Sequence, residues 1–255
     1  MPAPLVSGRP SRDDVARAAA RAEELAEQYG HLEGRDLLEV MIGDALRGDI
    51  ALVSSFGTEA AVLLALVAEV DPATPVLFLE TGKHFPETIA YRDDMIRRLG
   101  LTGVRNIEPS EMDTRTLDPD GRLWARNPNL CCYLRKVLPL ERALGEFGSW
   151  ITGRKQYQGG ARGTLPTIEA SNGRIKINPL VRWDRDRLLA EFEARNLPAH
   201  PLVAEGYASV GCAPCTRPTA PGEDARAGRW AGRDKSECGI HAENDTPPAL
   251  SAAAE

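Results

Sequence analysis

The five cysteines are the residues of this sequence best suited to chemistry. They form an adjacent pair, Cys131 and Cys132, a C-x-x-C of Cys212 and Cys215, and a single Cys238. An odd number fits a disulfide framework poorly, and in a reducing compartment such pairs more often bind metals or act in redox chemistry. We therefore predict four ligands and one separate thiol.

The four grouped cysteines leave two kinds of metal site open. A [4Fe–4S] cluster needs four converging thiolates, and structural zinc is also held by four. Neighbouring side chains on a helix point about 100° apart, which a cluster tolerates because two of its irons can be reached from one helical turn. Zinc sites usually use two C-x-x-C knuckles, so the spacing favours a cluster without excluding zinc. Two buried structural cysteines beside an unrelated C-x-x-C are a third interpretation.

Cys238 lies in a stretch of glycine and charged residues, an unusual place for a core cysteine. Lys235 and His241 flank it, and nearby cations favour the reactive thiolate. The pattern predicts a nucleophile, with an incidental exposed thiol as the alternative.

Strand-like and helix-like segments alternate along most of the chain. Such alternation predicts an α/β fold with a doubly wound, mainly parallel sheet. From about residue 211 the periodicity fades, which indicates an irregular, mobile C-terminal tail. The predicted helices are 11–30, 35–47, 58–70, 86–100 and 184–196, the predicted strands are 50–56, 75–81, 103–109, 149–153 and 175–180, and 122–145 becomes helical around the cysteine pair.

Composition narrows the functional classes. The net charge of -6 argues against non-specific nucleic-acid binding, although local Arg and Lys can still hold an anionic small molecule. No apolar run reaches the length of roughly 18 residues that a membrane span needs. The N-terminus lacks the apolar region of a signal peptide, so we expect a cytoplasmic protein with no membrane or nucleic-acid partner.

Three motifs together resemble assimilatory adenylyl-sulfate (APS) reductases, within the PAPS/APS reductase family: C-C-x-x-R-K (131–136), G-C-x-P-C-T-R (211–217) and E-C-G-I-H (237–241). The similarity runs from the strand at 50 to His241. It implies an adenine-nucleotide alpha-hydrolase-like fold and one [4Fe–4S] cluster on Cys131, Cys132, Cys212 and Cys215.

The resemblance also implies a reaction. Cys238, with His241 in the same catalytic motif, would attack the sulfate sulfur of APS, release AMP and become an S-sulfocysteine. A thioredoxin or a glutaredoxin-like thiol donor would then release sulfite. Because the partner supplies the second thiol, the odd cysteine count is explained.

Substrate contacts are predicted at the strand ends and in the basic motifs. The turn S-S-F-G-T-E (54–59) resembles the family's modified phosphate-binding loop, although alone it matches neither Walker A nor G-x-G-x-x-G and could be merely structural. The loop from 154 departs from the family pattern, since Gln156-Tyr157-Gln158 stands where Asp-Gln-Ser is usual. The predicted substrate-binding residues are Ser54, Ser55, Gly57, Leu79, Thr81, Lys136, Arg154, Arg226 and Arg229.

We predict that the chain divides into N-terminal helices packing on the core (1–48), a nucleotide-binding α/β core with the cluster ligands (49–217), a catalytic C-terminal segment (218–242) and a disordered tail (243–255). Two competing functions remain open. One is a cluster-bearing reductase that also accepts PAPS, and the other is a zinc-stabilised adenine-nucleotide-binding or adenylating protein. A homo-oligomer is also left open.

Overall fold

The computed structural model describes residues 10–159 and 162–241, and its centre is a six-stranded sheet of order β3-β2-β1-β4-β6-β5. Neighbouring strands are parallel except the antiparallel pair β5–β6. The predicted mainly parallel α/β architecture is therefore confirmed. The strands are β1 (Ile50–Val53), β2 (Val76–Leu79), β3 (Val104–Ile107), β4 (Ser149–Ile151), β5 (Ile168–Ser171) and β6 (Arg174–Ile177).

Strand β5 is absent from the sequence prediction. It pairs with β6 through a two-residue turn, Asn172-Gly173, whose φ angles are 51° and 70°. Asn-Gly with both residues at positive φ is typical of the tight turn in a β-hairpin. That dipeptide was the signal in the sequence that would have indicated the extra strand.

Helices cover both faces of the sheet. Ser11 forms a capping box with Asp14 at the start of the first helix, and Asp184 caps the last helix. The second predicted helix ends early, in a wide π turn at Met41–Ala45. The helices are α1 (Arg12–Tyr29), α2 (Gly34–Val40), α3 (Ala61–Val70), α4 (Pro86–Leu99), α5 (Glu111–Leu117), α6 (Leu123–Arg126), α7 (Pro128–Cys132), α8 (Leu138–Ala143) and α9 (Arg185–Ala194).

The main hydrophobic core lies between the sheet and α1–α4 with α9. Two smaller clusters lie around α7 and α8, and Ile240 packs against both. The C-terminal segment is irregular, as predicted, and Ile240 docks it on the two smaller clusters; the predicted disordered tail, 243–255, lies outside the described residues. None of the helices that the structure describes is long and apolar enough to cross a bilayer.

A widened turn joins α7 to α8. Residues Tyr133–Val137 form a π turn, and the ring nitrogen of Pro139 carries no hydrogen to donate back to the carbonyl of Arg135. Wide turns inside helices are frequent at functional sites. This one carries the Arg-Lys pair of the C-C-x-x-R-K motif.

Candidate active site

The crevice at the carboxyl ends of the central strands collects the predicted substrate residues. β1 lies between β2 and β4, so the chain connections diverge there, and ligands of open α/β sheets bind at such a point. The turn 54–60 follows β1, Thr81 lies just beyond β2, and Arg154 lies just beyond β4.

The turn after β1 is tightly built. The Ser54 hydroxyl accepts a hydrogen bond from the Phe56 amide at 3.2 Å, and Phe56 has a φ of 47° with its ring buried against Phe78. A Cβ on Gly57 would lie 3.3 Å from the Ser55 hydroxyl. The turn is therefore tight. Among Ser54, Ser55, Phe56 and Gly57, only Ser55 is exposed.

The four grouped cysteines line one cavity. Cys131 and Cys132 are buried at the end of α7, and Cys212 and Cys215 flank a short 3₁₀ turn. All four are free thiols. The cavity is also lined by cationic residues, namely Lys83, Arg135, Lys136 and Arg229.

The thiols of the cavity differ in acidity. Burial and the neighbouring Cys132 raise the pKa of Cys131 to about 12, and burial raises the pKa of Cys132 to about 11 despite the opposing charge of Lys136. Burial also acts on Cys212, but Lys136 and a Thr81 hydroxyl at 3.4 Å outweigh it, so the pKa of Cys212 is lowered. Cys212 is thus the contact between the end of β2 and the cysteine cavity.

Lys136 connects the cavity to the separate cysteine. Burial opposes its positive charge, but the neighbouring side chains of Cys212, Cys238 and Cys132 outweigh burial and raise its pKa. Lys136 therefore keeps its charge. A Cβ on Gly239 would lie 3.5 Å from the side chain of Val137, so the residue after Cys238 packs against the residue after Lys136.

Arg135 is a residue whose role the sequence analysis missed. Its guanidinium donates to Asp118 at 2.7 Å and to the Thr81 carbonyl at 2.8 Å, and the Asp118 side chain is fully buried. Arg135 thereby ties the cysteine-bearing helix to the end of β2. Its spacing of four residues from Cys131, on the same helical face, was the available signal.

His241 lies at the inner end of the docked segment. Its ring stacks on Trp150, with centroids 5.3 Å apart and planes at 6°, and its buried Nδ1 has no hydrogen-bond partner among residues 10–159 and 162–241. Burial, followed by the charges of Arg154 and Lys176, lowers its pKa well below the usual value. His241 is therefore a neutral imidazole among cations.

Two of the predicted substrate arginines are already paired with carboxylates. Arg154 is buried and forms an ion pair with Glu169 on β5. Arg226 donates to the Ser236 carbonyl and to Glu237, each at 3.0 Å. Their contact with substrate stays a prediction.

Arg229 is held differently. It donates to the Val210 carbonyl at 3.1 Å and lies over the Trp230 ring, 4.6 Å from the centroid, while its buried Nε has no hydrogen-bond partner in the part of the chain that the structure describes. A Cβ on Gly211 would overlap this guanidinium. The glycine before Cys212 thus lets Arg229 lie against the backbone at the cavity wall.

Comparison with known proteins decides the family. Residues 49–218 match the model of the phosphoadenosine phosphosulfate reductase domain. The chain belongs to this family. It is 47% identical over 240 residues to the adenosine 5'-phosphosulfate reductase of Mesorhizobium japonicum, covering 94% of this chain and 93% of the relative. This reductase-family chain is thus an oxidoreductase acting on a sulfur group.

Among other relatives of this reductase-family chain, some are named for adenosine 5'-phosphosulfate and one for phosphoadenosine 5'-phosphosulfate. The adenosine 5'-phosphosulfate reductase of Chelativorans sp. is 47% identical, covering 88% of this chain and 92% of the relative. The phosphoadenosine 5'-phosphosulfate reductase of Gloeobacter violaceus is 39% identical, covering 86% and 93%. Among solved structures, PAPS reductase from Candida auris in a phosphate complex has a TM-score of 0.63 at 25% identity, covering 82% of this chain and 98% of that one. A Candida glabrata FMN adenylyltransferase, with a TM-score of 0.50 at 15% identity and coverage of 82% and 76%, shares the fold alone.

Proposed function

We propose that this chain reduces adenosine 5'-phosphosulfate to sulfite and AMP, as part of sulfate assimilation, with thioredoxin or a glutaredoxin-like dithiol as electron donor in a reducing cytoplasm. The observation that carries the proposal is the packing of the segment around Cys238 beside the cysteine-bearing helix: a Cβ on Gly239 would lie 3.5 Å from the side chain of Val137, the neighbour of Lys136, and Ile240 packs against both small clusters. The reactive form of a cysteine is the thiolate, which nearby cations favour. The APS reductase names of the relatives that cover most of the chain support the substrate.

The proposed reaction has two displacement steps. The Cys238 thiolate attacks the sulfate sulfur, the bond from that sulfur to the bridging oxygen breaks, and AMP leaves with the electron pair. A thiolate of the partner then attacks the Cys238 sulfur, so that sulfite leaves and a mixed disulfide forms. The second partner thiol resolves it, regenerating the Cys238 thiol and oxidising the partner's two thiols to a disulfide.

Charge neutralisation is the main task of the surrounding residues. AMP is already a good leaving group, so positioning and electrostatic stabilisation suffice for catalysis. Lys136, Arg226, Arg229 and neutral His241 are the proposed contacts of the phosphosulfate, and Ser54, Ser55, Gly57, Leu79 and Thr81 those of the nucleotide. A cation about 4 Å from an anionic oxygen contributes up to about 4 kcal/mol at an effective dielectric constant of about 20.

We infer that the grouped cysteines hold a [4Fe–4S] cluster and not a zinc ion, because zinc sites usually use two C-x-x-C knuckles and not an adjacent pair. Four thiols around a shared cavity suit a larger group. Cys131, Cys132, Cys212 and Cys215 would hold it, and it would supply structural support and negative charge beside Lys136 while the electrons come from the partner's thiols.

Metal analysis tests this assignment. We expect brown protein with about four irons and as many acid-labile sulfides per chain. Cys212→Ser should lose most of the iron, because one of four thiolate ligands is removed, while Cys238→Ser should keep it. Colourless wild-type protein with one zinc per chain would contradict the cluster.

Substrate competition tests the reaction. With reduced thioredoxin, sulfite release from APS is expected to exceed that from PAPS at equal concentration by at least about tenfold, since the first relatives carry the APS name. The Gloeobacter violaceus relative makes a reductase that also accepts PAPS the second candidate. Equal rates with both substrates would favour that candidate, and no sulfite from either would refute the proposed reaction.

A further inference from the structure

Glu237, the residue before Cys238, joins two arginines from different parts of the chain. Arg162 donates to one of its carboxylate oxygens through Nε at 3.0 Å and Nη2 at 2.6 Å. Arg226 donates to the other oxygen at 3.0 Å and, from the same nitrogen, to the Ser236 carbonyl at 3.0 Å. The main chain and the side chain just before Cys238 are therefore both held.

Further hydrogen bonds connect Arg162 to the turn after β1. Arg162 also donates to the Gln158 amide oxygen, and the Gln158 amide nitrogen donates to Glu59 at 2.9 Å. Glu59 is the last residue of the S-S-F-G-T-E turn and also accepts from Lys155 at 3.0 Å. A continuous set of hydrogen bonds thus runs from the proposed phosphate-binding turn to the segment that carries Cys238.

This bridge differs from an ordinary surface ion pair, which contributes only about 0–1 kcal/mol. The side chains of Arg162 and Arg226 are 14% and 24% exposed, whereas Glu237 is 43% exposed. The two guanidinium groups are therefore largely buried, and the carboxylate of Glu237 binds them from the solvent side. Removing the carboxylate would leave the fold intact but free the main chain next to the thiol.

We propose that Glu237 is a positioning residue that sets Cys238 over the phosphosulfate site. The proposal rests on the function proposed above. A misplacement of about 1 Å between reacting groups can slow a reaction about a hundredfold, because a bound near-attack geometry is lost. The bridge fixes the segment on one side of Cys238, and Ile240, packed in both small clusters, fixes it on the other.

The test compares Glu237→Gln with Glu223→Gln. Both remove a carboxylate charge from the C-terminal segment, but within the described residues Glu223 pairs with Arg217 and the Ala220 amide, away from Cys238 in sequence. In Glu237→Gln we expect the single-turnover rate of S-sulfocysteine formation to fall about 10- to 100-fold, while the Kd for APS changes less than about threefold. In the absence of nucleotide, the rate at which iodoacetamide alkylates Cys238 should rise at least about threefold. This rate is measured from the mass of the peptide that contains Cys238. Glu223→Gln should match wild type in all three measurements.

Two outcomes would overturn the positioning role. One is S-sulfocysteine formation in Glu237→Gln at the wild-type rate. The other is tighter APS binding with unchanged chemistry, which would make Glu237 a competitor for the arginines. The alkylation comparison does not depend on the reaction with APS, so it tests the bridge separately. If wild type formed no S-sulfocysteine, the proposed function would be wrong. Unchanged alkylation of Cys238 in Glu237→Gln would refute the bridge by itself.

Discussion

Replacing Cys238 with serine is expected to reduce sulfite release by at least about a thousandfold while APS still binds. A serine hydroxyl is far less acidic and less nucleophilic than a thiol near neutral pH. Even a sulfated serine could not continue, because the partner's thiol must attack a sulfur atom to form the mixed disulfide. The measurements are sulfite release with reduced thioredoxin and the Kd for APS.

The covalent step can be located independently of turnover. Incubating wild type with APS alone should add one sulfonate to the peptide that contains Cys238, and Cys238→Ser should show no such adduct. Ser236→Ala is the matched control, because Arg226 contacts the carbonyl of residue 236 and not its hydroxyl. A sulfonate on one of the cavity cysteines, or turnover retained in Cys238→Ser, would place the nucleophile elsewhere.

The sheet could be predicted from the sequence because β1 and β2 are largely buried apolar runs, each followed by a helix with its own periodic pattern. The predicted strand 50–56 is nevertheless too long, since pairing ends at Val53 and the next residues form the turn of the site. β5 was missed because its residues, IEAS, carry little apolar signal. Its partner β6 supplies the pairing, which no local pattern within 168–171 reveals.

The cysteine site was predictable to the extent that its members have a distinctive residue type. Spacing separated the four grouped cysteines from Cys238, and the structure places the four around one cavity. The residue type of a charged side chain does not by itself indicate a site. The contact of Arg154 with substrate stays a prediction, and its ion pair with Glu169, which the pairing of β4 with β6 and of β6 with β5 brings together, was not predicted from the sequence.

Long-range polar contacts were the part that sequence could not supply. Arg135 meets Asp118 across 17 positions, and Glu237 meets Arg162 across 75. A charged residue's partner is set by which loops the sheet brings to the same edge, and solvent is the default partner for any single Arg or Glu. The motif E-C-G-I-H contained Glu237, but only the folded chain indicates what its carboxylate holds.

Lys136 joins the two parts of this site, and replacing it with methionine is expected to lower kcat/KM for APS by about a thousandfold. Methionine keeps an unbranched chain of similar length but removes the charge that lies among Cys212, Cys238 and Cys132. A loss of about 4 kcal/mol, the interaction of two charges about 4 Å apart at an effective dielectric constant of about 20, corresponds to that factor. The measurement is steady-state sulfite release over a range of APS concentrations.

Iron content and a control variant separate this electrostatic role from a structural one. Lys136→Met should retain the iron of wild type, because the four thiolates that would bind it are unchanged. Arg142→Met removes an exposed cation from α8, six residues further on, and should leave kcat/KM within about threefold. Wild-type kcat/KM in Lys136→Met would refute the role of its charge in the reaction, and a loss of iron together with activity would instead make Lys136 a support of the metal site. Because the widened turn between α7 and α8 holds Lys136 beside both groups of thiols, we expect Lys136→Met to retain its iron and to react more slowly with APS.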